Sequence, residues 1–499
     1  MELECKMKLR YLLAFAFLFC ASDLLCQLPA GSRGSGSTAS PAPTVWNLTT
    51  TTASYSPSPF PADVRVCCGV EWKWLEPTTQ GTYVWKSLDA WITLNHAHSG
   101  SKLIYTFLPV PPWLTSGANG TYPPTDLGVT TTTCSGIDGS TANVYDCAYK
   151  QFVTAFMRHV CGGLSAAPGS PLVGTCRVRK FEAWNEFNAN NYWSGTDAQL
   201  AVLGNDMSTI VHKYCGDCVV MLGSTSAGGD GYRPNGEPVH YDTALADVAT
   251  KWAAIPGASL WDAISWHPYP SRTDVTNVPV TSLISYDSAT CTSGNTPNVH
   301  CYVPISQQVT HLRAALAGIT GTNVPIYATE GGWGLTANIC DTTCDTTDAT
   351  HGANTIMLRK AFISQWMIVL QEQGVTGAMW YAPHDQGWGS MIGTGVAEGR
   401  FPIIPTSYNV VSAWNQTAAW LASGTVTLNS LASATVTGGK VWTVSMTISG
   451  APAKLAWFDG YLATTSYATT FTTQTNLSGT SSAITAGTVT LDQTPRLLQ

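Results

Sequence analysis

Two glutamates carry the clearest chemical signal in this chain. Glu186 lies in RKFEAWNEFNANNYW (179–193), where a strand-like run gives way to Asn, Trp and one carboxylate. Glu330 lies in PIYATEGGWG (325–334), again where an apolar run ends. Only 11% of the residues are charged, against roughly 25% in ordinary soluble domains, so each carboxylate counts. A facing pair is what cleavage of a glycosidic bond requires: one protonated to donate to the leaving oxygen, the other ionised to attack the anomeric carbon or activate water. The two must therefore sit in different surroundings. Arg65 and the Tyr269 hydroxyl suit Glu330 to the ionised role. Glu186, beside Trp184 and facing a second carboxylate, suits the proton donor. The Asn185 amide is suited to a sugar 2-hydroxyl, a contact that can strengthen in the transition state. Glu76, in a turn, and Glu182, earlier in its strand, are the rival carboxylates, and both read as structural.

These residues need a scaffold, and the sequence supplies a rhythm. From residue 62, short apolar runs alternate with helix-length segments: DVRVCCG then SLDAWITLNHAH, KLIYTFLPV then AYKQFVTAFMRHVC, KFEAWNEF then DAQLAVLGNDMSTIVHKY, VVMLGST then YDTALADVATKWAAI. Three more follow: DAISWHPY, PIYATEGG and GAMWYAPH, each with a helical segment after it. Seven strand–helix units, plus a possible first strand in TVWNLT (44–49), call for a parallel sheet. Over this length a closed (β/α)8 TIM barrel fits better than an open doubly wound sheet, and no glycine-rich phosphate loop follows the early strands.

In such a barrel the active site lies at the C-terminal ends of the strands. The second strand then offers Arg65, the third Trp113, and the fourth Asn185 and Glu186. The sixth offers His267 and Tyr269, the seventh Glu330, and the eighth Trp380, His384 and Trp388. His267 reads equally as a pocket contact or a satisfied core histidine. Among Trp333, Trp380 and Trp388, Trp380 is the favoured sugar platform. Trp414 and Trp420, on the last helix, read as packing. No metal is expected, because His267, His384 and Asp385 form no recognisable ligand set. No cofactor is implied either.

The rest of the chain frames the barrel. Lys6, Lys8 and Arg10 before YLLAFAFLFCA mark residues 1–26 as a signal peptide, too short to span a bilayer. Residues 27–61 are a Ser/Thr/Pro-rich lead-in, 62–423 the barrel, and 424–499 an alternating, turn-rich segment that reads as a small β-sandwich-like domain. That domain suits sugar binding or, more simply, packing against the barrel. Fifteen cysteines, an even twelve beyond the leader, fit disulfides in an oxidising compartment. Cys134 and Cys147, Cys161 and Cys176, Cys291 and Cys301, and Cys340 and Cys344 are close enough for local bridges. CGDC (215–218) also admits a redox motif or half a zinc site with Cys67 and Cys68, which export disfavours. A net charge of −7 without a basic patch argues against nucleic acid. The expected site of action is secreted or periplasmic, with no membrane span, and the sequence does not set the oligomeric state.

WNEFN before a helix, ISWHPYP, YATEGGWG and AMWYAPHDQGWG together resemble the strand-end motifs of the clan A retaining glycoside hydrolases. VRVCCGVEWKWLEPTTQGTYVWKSLDAWITL followed by LIYTFLPVPPWL is most similar to glycoside hydrolase family 39. The resemblance spans about residues 62–423. It implies Glu186 as acid/base, Glu330 as nucleophile, Asn185 as the 2-hydroxyl contact, Arg65 and Tyr269 as supports of the nucleophile, His267 in the pocket and Trp380 as sugar platform. The implied reaction is retaining cleavage of β-glycosidic bonds in plant or microbial polysaccharides or oligosaccharides. Endo-acting glucanase, xylanase or galactanase and exo-acting xylosidase stay open, as does a non-catalytic carbohydrate-binding protein on the same barrel.

Overall fold

The computed structural model describes residues 45–48, 63–66, 70–97, 102–117, 120–138, 142–161, 176–226, 232–269, 305–320, 324–331, 349–381, 410–460 and 463–499. Eight parallel strands close into a barrel: β1 (Val45–Leu48), β2 (Asp63–Val66), β3 (Lys102–Thr106), β4 (Val178–Glu182), β5 (Val219–Ser226), β6 (Ala263–His267), β7 (Ile326–Ala328) and β8 (Gly377–Tyr381). β1 lies inside the expected lead-in. It pairs with both β2 and β8, so the Thr-rich segment contributes the strand that closes the ring. Helices α1 (Lys86–Ala97), α2 (Cys147–Val160), α3 (Asp197–Tyr214), α4 (Tyr241–Ala253), α5 (Ile305–Thr320), α6 (Ala349–Glu372) and α7 (Val411–Ser423) follow β2 to β8 in turn.

Strand periodicity sets what faces inward. Successive side chains point to opposite faces, and in a barrel covered by helices both faces are buried. β6, AISWH, is accordingly buried at all five positions. Ile104, Met221, Ala263, Tyr327 and Met379 form a separate cluster that plugs the barrel interior. Their neighbours of opposite parity, such as Leu103, Phe181, Ile264 and Ala378, join the large core shared with the helices. Beyond the plug, the same alternation brings Thr106, Glu182 and His267 inward. Above that hydrophobic floor a polar layer can therefore form.

The C-terminal segment folds as expected into antiparallel sheets. β9 (Gly424–Val426) follows α7 directly. It is joined by β10 (Ala432–Val436), β11 (Gly439–Ile448), β12 (Ala451–Phe458), β14 (Thr473–Thr475), β15 (Ser481–Ala483) and β17 (Arg496–Leu498) in a seven-stranded sheet. β13 (Thr465–Ala468) and β16 (Thr488–Leu491) pair separately. Val444, Met446, Leu455 and Trp457 belong to the same buried cluster as the barrel's helices. The Gln365 amide on α6 donates to the Gln493 carbonyl at 2.7 Å.

Disulfides join Cys134 to Cys147, Cys161 to Cys176 and Cys215 to Cys218. The CGDC pair is therefore closed on itself and offers no thiolate to zinc. Cys67, Cys68, Cys291, Cys301, Cys340 and Cys344 lie outside the described residues, as does the leader. Among the described residues no helix is long and apolar enough to cross a membrane.

Candidate active site

The site is assembled around Arg65, which is almost wholly buried inside the barrel. Its Nε donates to Glu182 Oε2 at 2.6 Å, its Nη2 to Asn185 Oδ1 at 2.7 Å, and its Nη1 to Glu330 Oε1. Thr106 Oγ1 also donates to Glu182 Oε2, at 2.6 Å. Burial alone would raise the Glu182 carboxyl. The Arg65 charge, His267 and the Thr106 and Thr329 hydroxyls together outweigh it and hold that carboxyl below the ordinary glutamate range. Glu182 is thus a fixed anion that anchors Arg65, a role its place in the strand did not announce.

Glu330 follows β7, and its second oxygen accepts from the Tyr269 hydroxyl at 2.9 Å. Across the mouth, Glu186 Oε1 is 2.8 Å from His267 Nδ1, which lies 3.5 Å from Glu330 Oε2. An oxygen of each carboxylate and a ring nitrogen of His267 lie within 4.8 Å of one another. His267 is therefore a pocket residue bridging the pair. Its Nε2 is buried and has no hydrogen-bond partner among the described residues.

The loop carrying Glu186 is held from several sides. Glu186 adopts φ +43°, a left-handed conformation unusual for a residue with a side chain. A break in the β5–β6 register at Gly223 lets Ser224 turn towards this loop. Ser224 N donates to Trp184 O at 2.9 Å, Phe187 N to Ser224 O at 3.2 Å, and Glu186 N to Ser224 Oγ at 3.3 Å. The buried Asn188 latches the loop to β5: its Nδ2 donates to Ser226 O at 2.9 Å, and Ser226 N returns a bond to its Oδ1 at 2.8 Å. Arg233, also buried, donates to Phe187 O at 2.9 Å and pairs with Asp197 at the start of α3. A capping box between Thr196 and Gln199 fixes that helix end.

The structure thus brings together six of the expected residues: Arg65, Asn185, Glu186, His267, Tyr269 and Glu330. Two others are placed differently. Trp113 is half-buried, with its Nε1 donating to Glu76 O at 2.8 Å. Trp380 has the outward parity of β8 and meets Trp366 of α6 edge to face, centroids 5.4 Å apart, rather than turning to the carboxylates. His384 and Trp388 lie outside the described residues, with Trp333 and Asp385. Sequence reasoning named Glu182 only as a structural carboxylate and passed over Ser224, Asn188 and Arg233. The alternation in Lys180–Phe181–Glu182, which sets Glu182 on the face opposite the buried Phe181, was the available signal for its inward place.

Two further groups have the atoms of a metal site. Cys176 with Cys215 and Cys218 is tied up in disulfides. Asp197, Glu237 and Asp247 are engaged by Arg233 and Lys251. The Glu186–His267–Glu330 set also has suitable donors, and it coincides with the expected catalytic pair.

No family model matches the chain, and no curated protein matches it. Solved structures do. A glycoside hydrolase family 44 endoglucanase produced by Clostridium acetobutylium ATCC 824 superposes with a TM-score of 0.51 at 11% identity, over 92% of this chain and 96% of that one. The likeness is one of fold. A monomeric β-xylosidase from Caulobacter crescentus CB15 gives 0.48 at 12% identity over 92% and 97% of the two chains. A family 39 enzyme from Xanthomonas axonopodis pv. citri gives 0.45 at 13% over 88% and 87%. These structural neighbours are glycoside hydrolases. The similarity does not separate family 39 from family 44.

Proposed function

We propose that the chain is a retaining glycoside hydrolase that cleaves β-linked sugars with Glu330 as nucleophile and Glu186 as acid/base. The observation that carries this reading is the approach of the two carboxylates within 4.8 Å, bridged by His267. Retaining enzymes hold their carboxyl groups about 5–5.5 Å apart, and inverting enzymes leave room for a water at about 6.5–9.5 Å. Arg65 and Tyr269 bind both oxygens of Glu330, which holds its carboxyl group aimed. Glu330 attacks the anomeric carbon as Glu186 protonates the leaving oxygen. Glu186 then takes a proton from water, which displaces Glu330 from the glycosyl ester. Asn185, fixed by Arg65 through its Oδ1, can hold the 2-hydroxyl through its Nδ2 amide. No group beyond these side chains is needed. The three disulfides among the described residues support action outside the cytoplasm.

The test is product release from aryl β-glycosides and β-linked polysaccharides by the wild type and by Glu330→Gln. The variant is expected to lose at least about 10³-fold in kcat, and the first product should keep the anomeric configuration by NMR. Undiminished hydrolysis by Glu330→Gln, or an inverted product, would overturn the mechanism.

A further inference from the structure

Five large aromatic side chains are exposed among the described residues: Trp74, Tyr122, Tyr145, Tyr192 and Tyr232. All five lie in segments that run from a barrel strand to the helix after it. Neither α1–α7 nor the described part of the β-domain exposes one. Loops are exposed by nature, so this bias alone is a weak sign. What strengthens it is convergence. Trp74, after β2, and Tyr192, after β4, line one cleft of about 620 Å³ together with Glu71, Lys73, Thr121 and Asn191.

That volume is within the range of small-molecule sites. Trp74 is 52% exposed, and the Lys73 ammonium sits 5.2 Å from its ring centroid. The cleft is also fastened to the loop that carries Glu186. Trp184 Nε1, two residues before Glu186, donates to Tyr192 O at 2.9 Å, and Ser194 N donates to Thr121 O at 3.0 Å. Flat aromatic faces stack on the C–H faces of pyranose rings, while carboxylate, amide and hydroxyl groups beside them take sugar hydroxyls.

We infer that this cleft is a second sugar-binding shelf, taking further units of the chain whose scissile bond lies between Glu186 and Glu330. The inference rests on the glycosidase reading for its ligand, and it deepens that reading: an enzyme with such a shelf acts on chains rather than on a terminal sugar alone. The β-domain is not the source of affinity in this account.

The test uses full-length Glu330→Gln protein in affinity gels containing xyloglucan, hydroxyethylcellulose, arabinoxylan, mixed-linkage β-glucan or galactan. Trp74→Ala and Tyr192→Ala are added in the same background, with melting temperature as the control for folding. At least one polysaccharide should retard the parent, and Trp74→Ala should weaken that binding about tenfold or more. No retardation by any polysaccharide, or equal retardation of parent and both aromatic variants, would overturn the shelf. Wild-type hydrolysis of the same polysaccharides and of aryl β-glycosides is scored separately. Hydrolysis without retention removes the shelf and leaves the catalytic reading standing. Retention lost with Trp74 but no hydrolysis upholds the shelf and removes the catalytic reading.

Discussion

Buried inside the barrel, Arg65 divides one guanidinium among Glu182, Glu330 and Asn185. Its planar fork can serve three partners at once, where a lysine ammonium is a single point charge. Removing one member of a buried ion pair typically costs about 3–5 kcal/mol, because the other charge is left unpaired. Arg65→Ala strands two carboxylates, so its unfolding free energy in urea should fall by about 3 kcal/mol or more. Arg65→Lys should stay folded yet lose about 10²-fold or more in kcat. A fully active Arg65→Lys enzyme would show that the fork does not orient Glu330. Six candidate site residues were legible at this scale: five follow an apolar run at a strand's end, and Arg65 is the one cation of its short strand. Glu182 was not, because its partner Arg65 is 117 positions away and only the closed barrel brings them into contact. Trp380 misled for a related reason: position at a strand end does not say which face the ring takes, and its parity turns it to α6.

At the scale of elements, the strand–helix rhythm was readable since each unit repeats the same change of period. The irregularities that aim the loop carrying Glu186 were not, because a break in register exists only between two paired strands. Gly223 stands at that break with φ +28°, and a Cβ there would lie 2.8 Å from the Phe187 ring. Phe187 directly follows Glu186, so the strain would pass to the proposed acid/base. Gly223→Ala should therefore destabilise by about 1–3 kcal/mol and lower kcat more than it raises KM. Wild-type stability and turnover in this variant would show that the loop tolerates a displaced Phe187. The loop after β2 makes a different prediction. Burial raises the Glu76 carboxyl from 4.5 to about 7, against the opposing hydrogen bonds from Trp72 Nε1 and Gly81 N. The folded protein keeps this proton after the unfolded chain has released its own, so the stabilisation is present in acid and is lost as pH rises from about 4.5 to about 7. Glu76→Gln cannot titrate. Its stability relative to wild type should improve by on the order of 2 kcal/mol between pH 5 and 8. Parallel stability curves for the two proteins would rule out this linkage.

At the scale of the molecule, the question is whether the β-domain is an appended module or part of one folding unit. An appended sugar-binding module would hang on a linker, keep a separate core and present aromatic faces to solvent. Here β9 begins at Gly424, immediately after α7 ends at Ser423. Val444, Met446, Leu455 and Trp457 lie in the barrel's own buried cluster. Polar contacts cross the junction as well: Gln365 Nε2 reaches Gln493 O at 2.7 Å, and the Glu372 carboxylate accepts from Leu431 N at 3.0 Å. Trp366, which backs β8, and Gln365 are consecutive on α6, so the helix that supports the barrel wall also seats the β-domain. Removing residues 424–499 would bare the apolar faces of α6 and α7 and leave the buried Glu372 without its Leu431 contact. The whole chain should then unfold in one calorimetric transition, with the van't Hoff and calorimetric enthalpies in agreement. A chain ending at residue 423 should be insoluble or lack a cooperative melt. Two resolved transitions, or a truncated barrel that melts cooperatively and hydrolyses the same substrates, would make the β-domain an independent module.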